Sequence, residues 1–227
     1  MDDGYTIIRG VIPEMVIHQF KMWAMNPNNS HRGNAVNGKY YNKHRKGREY
    51  DCWWTTAPPV EMWSPVVRQL HTYISALFQS DDWDIHCVDC ITTRPGSAKI
   101  RAHVDSPYRF DEYAMSKEIL GVQIIIPLDP FTLENGATAF IPGSHLETNH
   151  YKDIEEFQEI FDDRIRNEGV QFLSQPGDVL MYDGKTLHST MPNNADTFRS
   201  ALLINALSTD VIEKANLLDK NTDRKKT

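Results

Sequence analysis

Cysteine is scarce in this 227-residue chain, which has three: Cys52, Cys87 and Cys90. An odd, low number excludes a disulfide-stapled scaffold. Cys87 and Cys90 form a C-x-x-C in "DIHCVDCITT", but no second pair at similar spacing completes a zinc site. Three apart on a strand, they face opposite ways, and core packing is their expected role. Long apolar runs are also missing. The longest, "ILGVQIIIPL", falls far short of the ~20 residues that span a bilayer and fits a buried strand. Nor is there an excess of positive charge. A net charge of -7 and a pI of about 5.7 exclude a general attraction to nucleic acid or to an anionic membrane. The opening "MDDGYTIIRG" lacks the basic and apolar regions of a signal peptide, so a cytoplasmic protein is expected.

What is present is an ordinary globular composition, 40% hydrophobic and 24% charged, of a size that suits one domain over residues 1–227. Its first part, to about residue 82, reads as helical. "PEMVIHQFKMWAM" (13–25) starts with Pro at a first helical position and repeats Met15, Val16, Phe20 and Trp23 at helical spacing. "SPVVRQLHTYISALF" (64–78) has Ser64 as cap, Pro65 in the first turn and a stripe of Val67, Leu70, Ile74 and Leu77. Residues 26–58 read as loop. They contain a cationic run, Lys39, Lys43, Arg45, Lys46 and Arg48, which could steer an anionic substrate or lie as a solvated loop. The adjacent Trp53 and Trp54 could line a pocket or seal the helices onto a sheet.

From residue 83 the period changes. "WDIHCVDCITTR", "AKIRAHVD", "ILGVQIIIPLD", "GATAFIP", "VQFLS", "DVLMYD", "TLHST" and "RSALLINALS" are short, β-rich and bounded by turn residues. About eight strands after two helices predict a mainly β jelly roll or barrel core, about 83–207, with helices packed outside. The charged segment 150–169 interrupts the strands at helical spacing and is a candidate lid. The C-terminal tail is 208–227, and its end, "DKNTDRKKT" (219–227), reads as solvated.

In "KIRAHVDSPYRF", His103 and Asp105 are two apart, so on a strand they share a face. They form either an ion pair or two thirds of a metal site. His145 and Glu147 in "PGSHLE" offer the same spacing. His188 follows a Gly-containing turn, and Arg199 opens the next strand. If those strands pair, both side chains reach one cavity, where an Arg fork suits the carboxylate of a ligand that chelates metal at its other end. Two His and one carboxylate with open positions is the donor set of non-haem Fe(II) oxygenases.

The motifs "HVD" (103–105), "ENGATAFIPGSH" (134–145) and "QPGDVLMYDGKTLHSTMPNNADTFRSALLI" (175–204), with the opening "DGYTIIRGVIPEMVI", resemble the phytanoyl-CoA dioxygenase family. The resemblance spans about residues 3–207. It implies a double-stranded β-helix binding Fe(II) and using 2-oxoglutarate and O2. It places His103, Asp105 and His188 as metal ligands, with no other catalytic group. Arg199 pairs with the far carboxylate of 2-oxoglutarate, Thr190 adds a hydroxyl there, and Gln123 faces the cosubstrate. His145 falls in a structural turn. Relatives that halogenate lack the carboxylate, and Asp105 is present here. The implied reaction is hydroxylation of a small-molecule substrate, one that the cationic run would favour as an anion, with release of succinate and CO2. The alternatives are desaturation, ring formation or epimerisation by the same chemistry, or a metal-binding module without turnover.

Overall fold

The structure, a computed structural model, describes residues 2–32, 52–55, 57–105, 107, 108, 113, 115–147 and 154–214. In chain order the elements are β1 (Tyr5–Ile8), α1 (Glu14–Met25), β2 (Ser30–Arg32), β3 (Cys52–Thr55), α2 (Val60–Phe78), β4 (Trp83–Thr93), β5 (Gly121–Pro127), β6 (Thr138–Phe140), α3 (Ile154–Glu168), β7 (Val170–Gln171), β8 (Val179–Asp183), β9 (His188–Thr190) and β10 (Arg199–Ser208). Two antiparallel sheets form, one ordered β1-β8-β5-β10-β4-β3-β2 and a smaller one ordered β7-β6-β9. Ile91, Ile125, Leu180 and Tyr182 of the large sheet pack against Phe140 of the small one, so the sheets face each other as a jelly roll. No described helix is long and apolar enough to cross a membrane.

Strand parity sorts the side chains. On β10, Leu202 and Ile204 turn outward, where Val66, Leu70 and Ile74 of α2 and Ile17 and Phe20 of α1 cover them. Ala201 turns inward, toward the space between the sheets. The long apolar strands are buried on both faces, which is why they show little alternation in sequence.

Several expectations need correction. Helix α2 begins at Val60, not Ser64, and carries Pro65 inside. Pro there forfeits one hydrogen bond, and Met62 and Trp63 packed on the core offset the loss. In α1 the buried positions are Ile17, Phe20 and Ala24, and Met15 is 75% exposed. The part before residue 82 also supplies β1, β2 and β3 to the large sheet, although β2 and β3 read as loop. The stretch "AKIRAHVD" forms no strand; it meets the small sheet at the bridge of His103 to His188 and through the Ile100 N–H, which donates to Thr190 O at 3.0 Å. Cys90 is buried as expected, but Cys87 is exposed. Residues 209–214 of the tail are helical, and Val211 packs with Tyr113 and Leu207.

The cationic run at 39–48, residues 150–153 of the candidate lid and 215–227 of the tail lie outside the described residues, as does the Trp53 side chain. From Phe161 on, α3 is no lid. Phe161 and Ile165 are buried against Ala102, Val104 and Leu187. Asp162, also buried, accepts the Ala102 N–H at 3.2 Å and pairs with Lys99 at 2.7 Å. The helix braces the segment that carries His103.

Candidate metal centre

His103 and His188 are joined by two backbone hydrogen bonds, His103 N–H to His188 O at 2.9 Å and the reverse at 3.0 Å. The Asp105 N–H donates to Gly184 O at 2.8 Å and continues the pairing. These bonds put the imidazole of His103 and the carboxylate of Asp105 on the side where His188 stands, and the two rings lie 4.3 Å apart. Each ring is oriented by its own chain. His103 Nδ1 lies 2.7 Å from Arg101 O, and His188 Nδ1 lies 2.9 Å from Thr186 O. A carbonyl only accepts, so each Nδ1 carries the hydrogen and each Nε2 lone pair is left for the cavity.

The Asp105 carboxylate stands between them, 3.8 Å from His103 Nε2 and 3.5 Å from His188 Nε2. All three ligand atoms lie within 4.8 Å of one another. Burial pushes the His188 pKa down to about 4, against the pull of Asp105 and helped by His103, so that ring is neutral at pH 7. The sequence reading missed a fourth group, Tyr182. Its hydroxyl donates to Asp105 Oδ2 at 3.2 Å and lies 3.2 Å from His188 Nε2. Burial, then the Asp105 charge, raises the Tyr182 pKa well above its ordinary value and keeps the phenol protonated. Three converging acceptors thus have one hydroxyl hydrogen among them. A divalent cation that favours imidazole and carboxylate fits this donor set.

The rival pair does not converge. Glu147 accepts two hydrogen bonds from Arg164, at 2.7 and 2.8 Å. His145 sits over Gly4, whose φ of +81° and lack of a side chain admit it: a Cβ there would stand 2.4 Å from His145 Nδ1.

Arg199 is buried at the start of β10. Its guanidinium donates to Gly136 O and, at 2.9 Å, to Thr93 Oγ1, and lies over the Phe131 ring. Gly136 has φ +79°, and a Cβ there would strike the Met191 carbonyl at 2.2 Å. Glycine is needed in "ENGATAF" for this close packing. Arg199, Thr190 and Gln123 all line one cavity of about 630 Å³ with His103, Asp105, His188 and Tyr182. Trp54 lines it too, which answers the question left open for that residue. A larger, shallower groove of about 940 Å³ lies between α1 and α2. It lacks a metal-donor cluster among the described residues, so the chemistry belongs to the smaller cavity.

This fold is that of the non-haem 2-oxoglutarate oxygenases, which use the co-reactant also called α-ketoglutarate. The α-ketoglutarate-dependent epimerase SnoN from nogalamycin biosynthesis superposes with a TM-score of 0.66 over 91% of this chain and 77% of its own, at 16% identity. HygX from Streptomyces hygroscopicus, solved with nickel and 2-oxoglutarate bound, gives 0.67 over 92% and 84%, at 12% identity. The sequence model of the phytanoyl-CoA dioxygenase family matches residues 1–201, and the chain belongs to that family. Among curated relatives, the iron/α-ketoglutarate-dependent dioxygenase AusO of Aspergillus calidoustus is 28% identical over 217 residues, 89% of this chain and 68% of that one. The dioxygenase LolE1 of Epichloe uncinata is 32% identical over 114 residues, 48% of this chain and 40% of its own. The multifunctional dioxygenase PrhA of Penicillium brasilianum is 31% identical over 124 residues, 52% and 38%. The latter two matches span less than half of those relatives. The chain is a 2-oxoglutarate-dependent oxygenase whose cofactors are Fe(II) and 2-oxoglutarate.

Proposed function

We propose that this oxygenase hydroxylates a small molecule, with His103, Asp105 and His188 holding Fe(II) and Arg199 holding the far carboxylate of 2-oxoglutarate. The observation that supports it is the convergence of the three donors in the cavity that a buried guanidinium also lines. Iron and 2-oxoglutarate together supply oxygen-activating chemistry, in which one atom of O2 enters the substrate C–H bond and the other enters succinate, with loss of CO2. The chain's own residues position and exclude. The Nδ1–H bonds fix the imidazoles, and Tyr182 holds one carboxylate oxygen of Asp105. Arg199 offers a planar fork to a carboxylate. Thr190 adds a hydroxyl to that end, and Gln123, in register with Tyr182, faces the cosubstrate nearer the metal. Ile91, Ile125 and Leu203 keep water from the wall between. The proposal takes residues 1–227 as one oxygenase domain in the cytoplasm.

A second reading keeps the same ligands and ends in epimerisation, ring formation or desaturation. The epimerase among the structural neighbours favours keeping it. A metal-binding module without turnover explains Arg199 poorly, since such a module needs no cosubstrate anchor. The test is to add Fe(II) and 2-oxoglutarate under nitrogen, read the visible charge-transfer band, then admit O2 and measure succinate. A band followed by succinate supports the oxygenase. A band without succinate, whatever substrate is supplied, supports the module, and no band defeats the cosubstrate assignment. Product analysis of a turned-over substrate separates hydroxylation from the other outcomes.

A further inference from the structure

Strand β10 opens at Arg199, and its neighbour β5 ends at Pro127, opposite Ala201. Ser200 therefore lies one residue past the ladder on that side. In an antiparallel strand the N–H and C=O of one residue point to the same neighbour. The Ser200 C=O accepts the Leu128 N–H at 2.9 Å, and its N–H donates to the Asp129 carboxylate at 2.8 Å. A side-chain oxygen thus takes the place that a ladder carbonyl would fill.

Asp129 is itself held from α1. Lys21 donates to the same carboxylate oxygen and, at 3.0 Å, to Ser200 Oγ, which lies 2.9 Å from Thr92 Oγ1. The Lys21 and Asp129 side chains stay 26% and 23% exposed, so their pairing adds little stability. Its effect is geometric. Residues 128–137, which join β5 to β6, also reach Arg199 on the inward face. The guanidinium lies over the Phe131 ring and donates to Gly136 O. Between those two residues Asn135 closes the loop, donating to Pro130 O at 2.7 Å and accepting the Thr132 N–H at 2.9 Å. One loop therefore grips β10 at adjacent residues, by the main chain of Ser200 and by the guanidinium of Arg199.

We infer that Asp129, held by Lys21, is a positioning residue, which by fixing Ser200 sets where the Arg199 fork meets the far carboxylate of 2-oxoglutarate. The inference rests on the proposed function in assigning that carboxylate to Arg199. Neither Asp129 nor Lys21 is among the described residues that line the cavity, so both act through the strand. A fork displaced by a fraction of an ångström loses the alignment that two parallel hydrogen bonds need.

The test uses the full chain with Fe(II) under nitrogen and two probes, 2-oxoglutarate and 2-oxopentanoate. The second keeps the chelating end and has a methyl group in place of the far carboxylate. Titration of the charge-transfer band gives the affinity for each, and their ratio isolates the far end. Asp129→Ala is expected to weaken 2-oxoglutarate by at least about tenfold and to leave 2-oxopentanoate within about twofold. Asp129→Asn, whose carboxamide oxygen still accepts the Ser200 N–H, is expected to restore most of the ratio. Lys21→Met leaves that bond in place but frees the carboxylate, and is expected to lower the ratio by about threefold; it decides the matter if Asp129→Ala does not fold. A carboxylate acting by charge alone would repel the diacid, so its removal would strengthen 2-oxoglutarate binding, the opposite sign. The inference is overturned by that result, by an unchanged ratio in Asp129→Ala or, where that variant does not fold, in Lys21→Met, or by equal weakening of both probes, which marks a merely structural role. Arg199→Ala separates the two levels. If it keeps the wild-type ratio, the proposed function fails; if it loses the ratio and Asp129→Ala keeps it, the inference alone fails.

Discussion

His103 and His188 grip each other through backbone hydrogen bonds of 2.9 and 3.0 Å, and each turns its Nδ1 back onto the carbonyl two residues earlier. The ring positions are thus set by main chain, before any metal arrives. His103→Ala or Asp105→Ala is expected to lower Fe(II) affinity by at least ~100-fold, above the loss typical of outer partners. The fold should survive, because the backbone bridge does not use either side chain. Metal titration alongside circular dichroism checks both halves.

Tyr182 touches two of the three donors through one hydroxyl. Tyr182→Phe keeps the ring packing and removes only that oxygen. Metal affinity is expected to fall by about 10-fold, within the range for groups that orient a ligand. Thermal stability should change little. Unchanged metal affinity would show that Asp105 needs no such partner.

Arg199→Ala is expected to weaken 2-oxoglutarate binding by ~2–5 kcal/mol, the range for a buried charge pair that loses one member. Fe(II) affinity should stay near the wild type. Arg199→Lys retains the charge without the fork and should fall between. Anaerobic titration of the charge-transfer band reads cosubstrate affinity in all three proteins.

Asp162 links α3 to the segment that carries His103 by accepting Ala102 N–H and pairing with Lys99. Removing the carboxylate takes away the 2.7 Å ion pair with Lys99 and the acceptor of the Ala102 N–H. Asp162→Ala is expected to cost ~1–3 kcal/mol in urea unfolding, the range for a buried donor that loses its acceptor. It should also weaken metal binding, since the residue before His103 loses its anchor. Asp162→Asn, which keeps the acceptor, should lose less on both measures.

Asp178 ties β8 to the turn after β1. Burial acts to raise its pKa, but the N–H groups of Gln175 and Gly10 and the Arg9 guanidinium outweigh burial and hold it below the ordinary value. A depressed folded-state pKa contributes stability that is fully present above the unfolded value of ~3.9 and is lost as pH falls through the folded one. The urea midpoint should therefore drop between pH 5 and pH 3 more steeply in the wild type than in Asp178→Asn, at pH values chosen about one unit either side of ~3.9.

Much of this was legible in the sequence because the signals were local. The β-rich run after residue 83, "HVD", and the His188-to-Arg199 stretch all lie together in the fold, and the three donors share the cavity with Arg199. What escaped depended on distant chain. Residues 98–105 looked like a strand, yet the backbone there answers to His188, Gly184 and Asp162 and forms one bridge. Tyr182 sits on a strand buried on both faces, so no alternation marked it as pointing to the metal donors. Segment 150–169 has the charge of a surface helix, and only the packing of Phe161 and Ile165 shows that its later part is a brace.

The central claim is that His103, Asp105 and His188 bind one Fe(II) together. X-ray absorption on the anaerobic Fe(II)–2-oxoglutarate complex tests it most directly. The account predicts one iron per chain with imidazole scattering from two histidines, falling to one in His188→Ala if iron is retained at all. Iron bound without imidazole scattering, or a spectrum unchanged in His188→Ala, would contradict it.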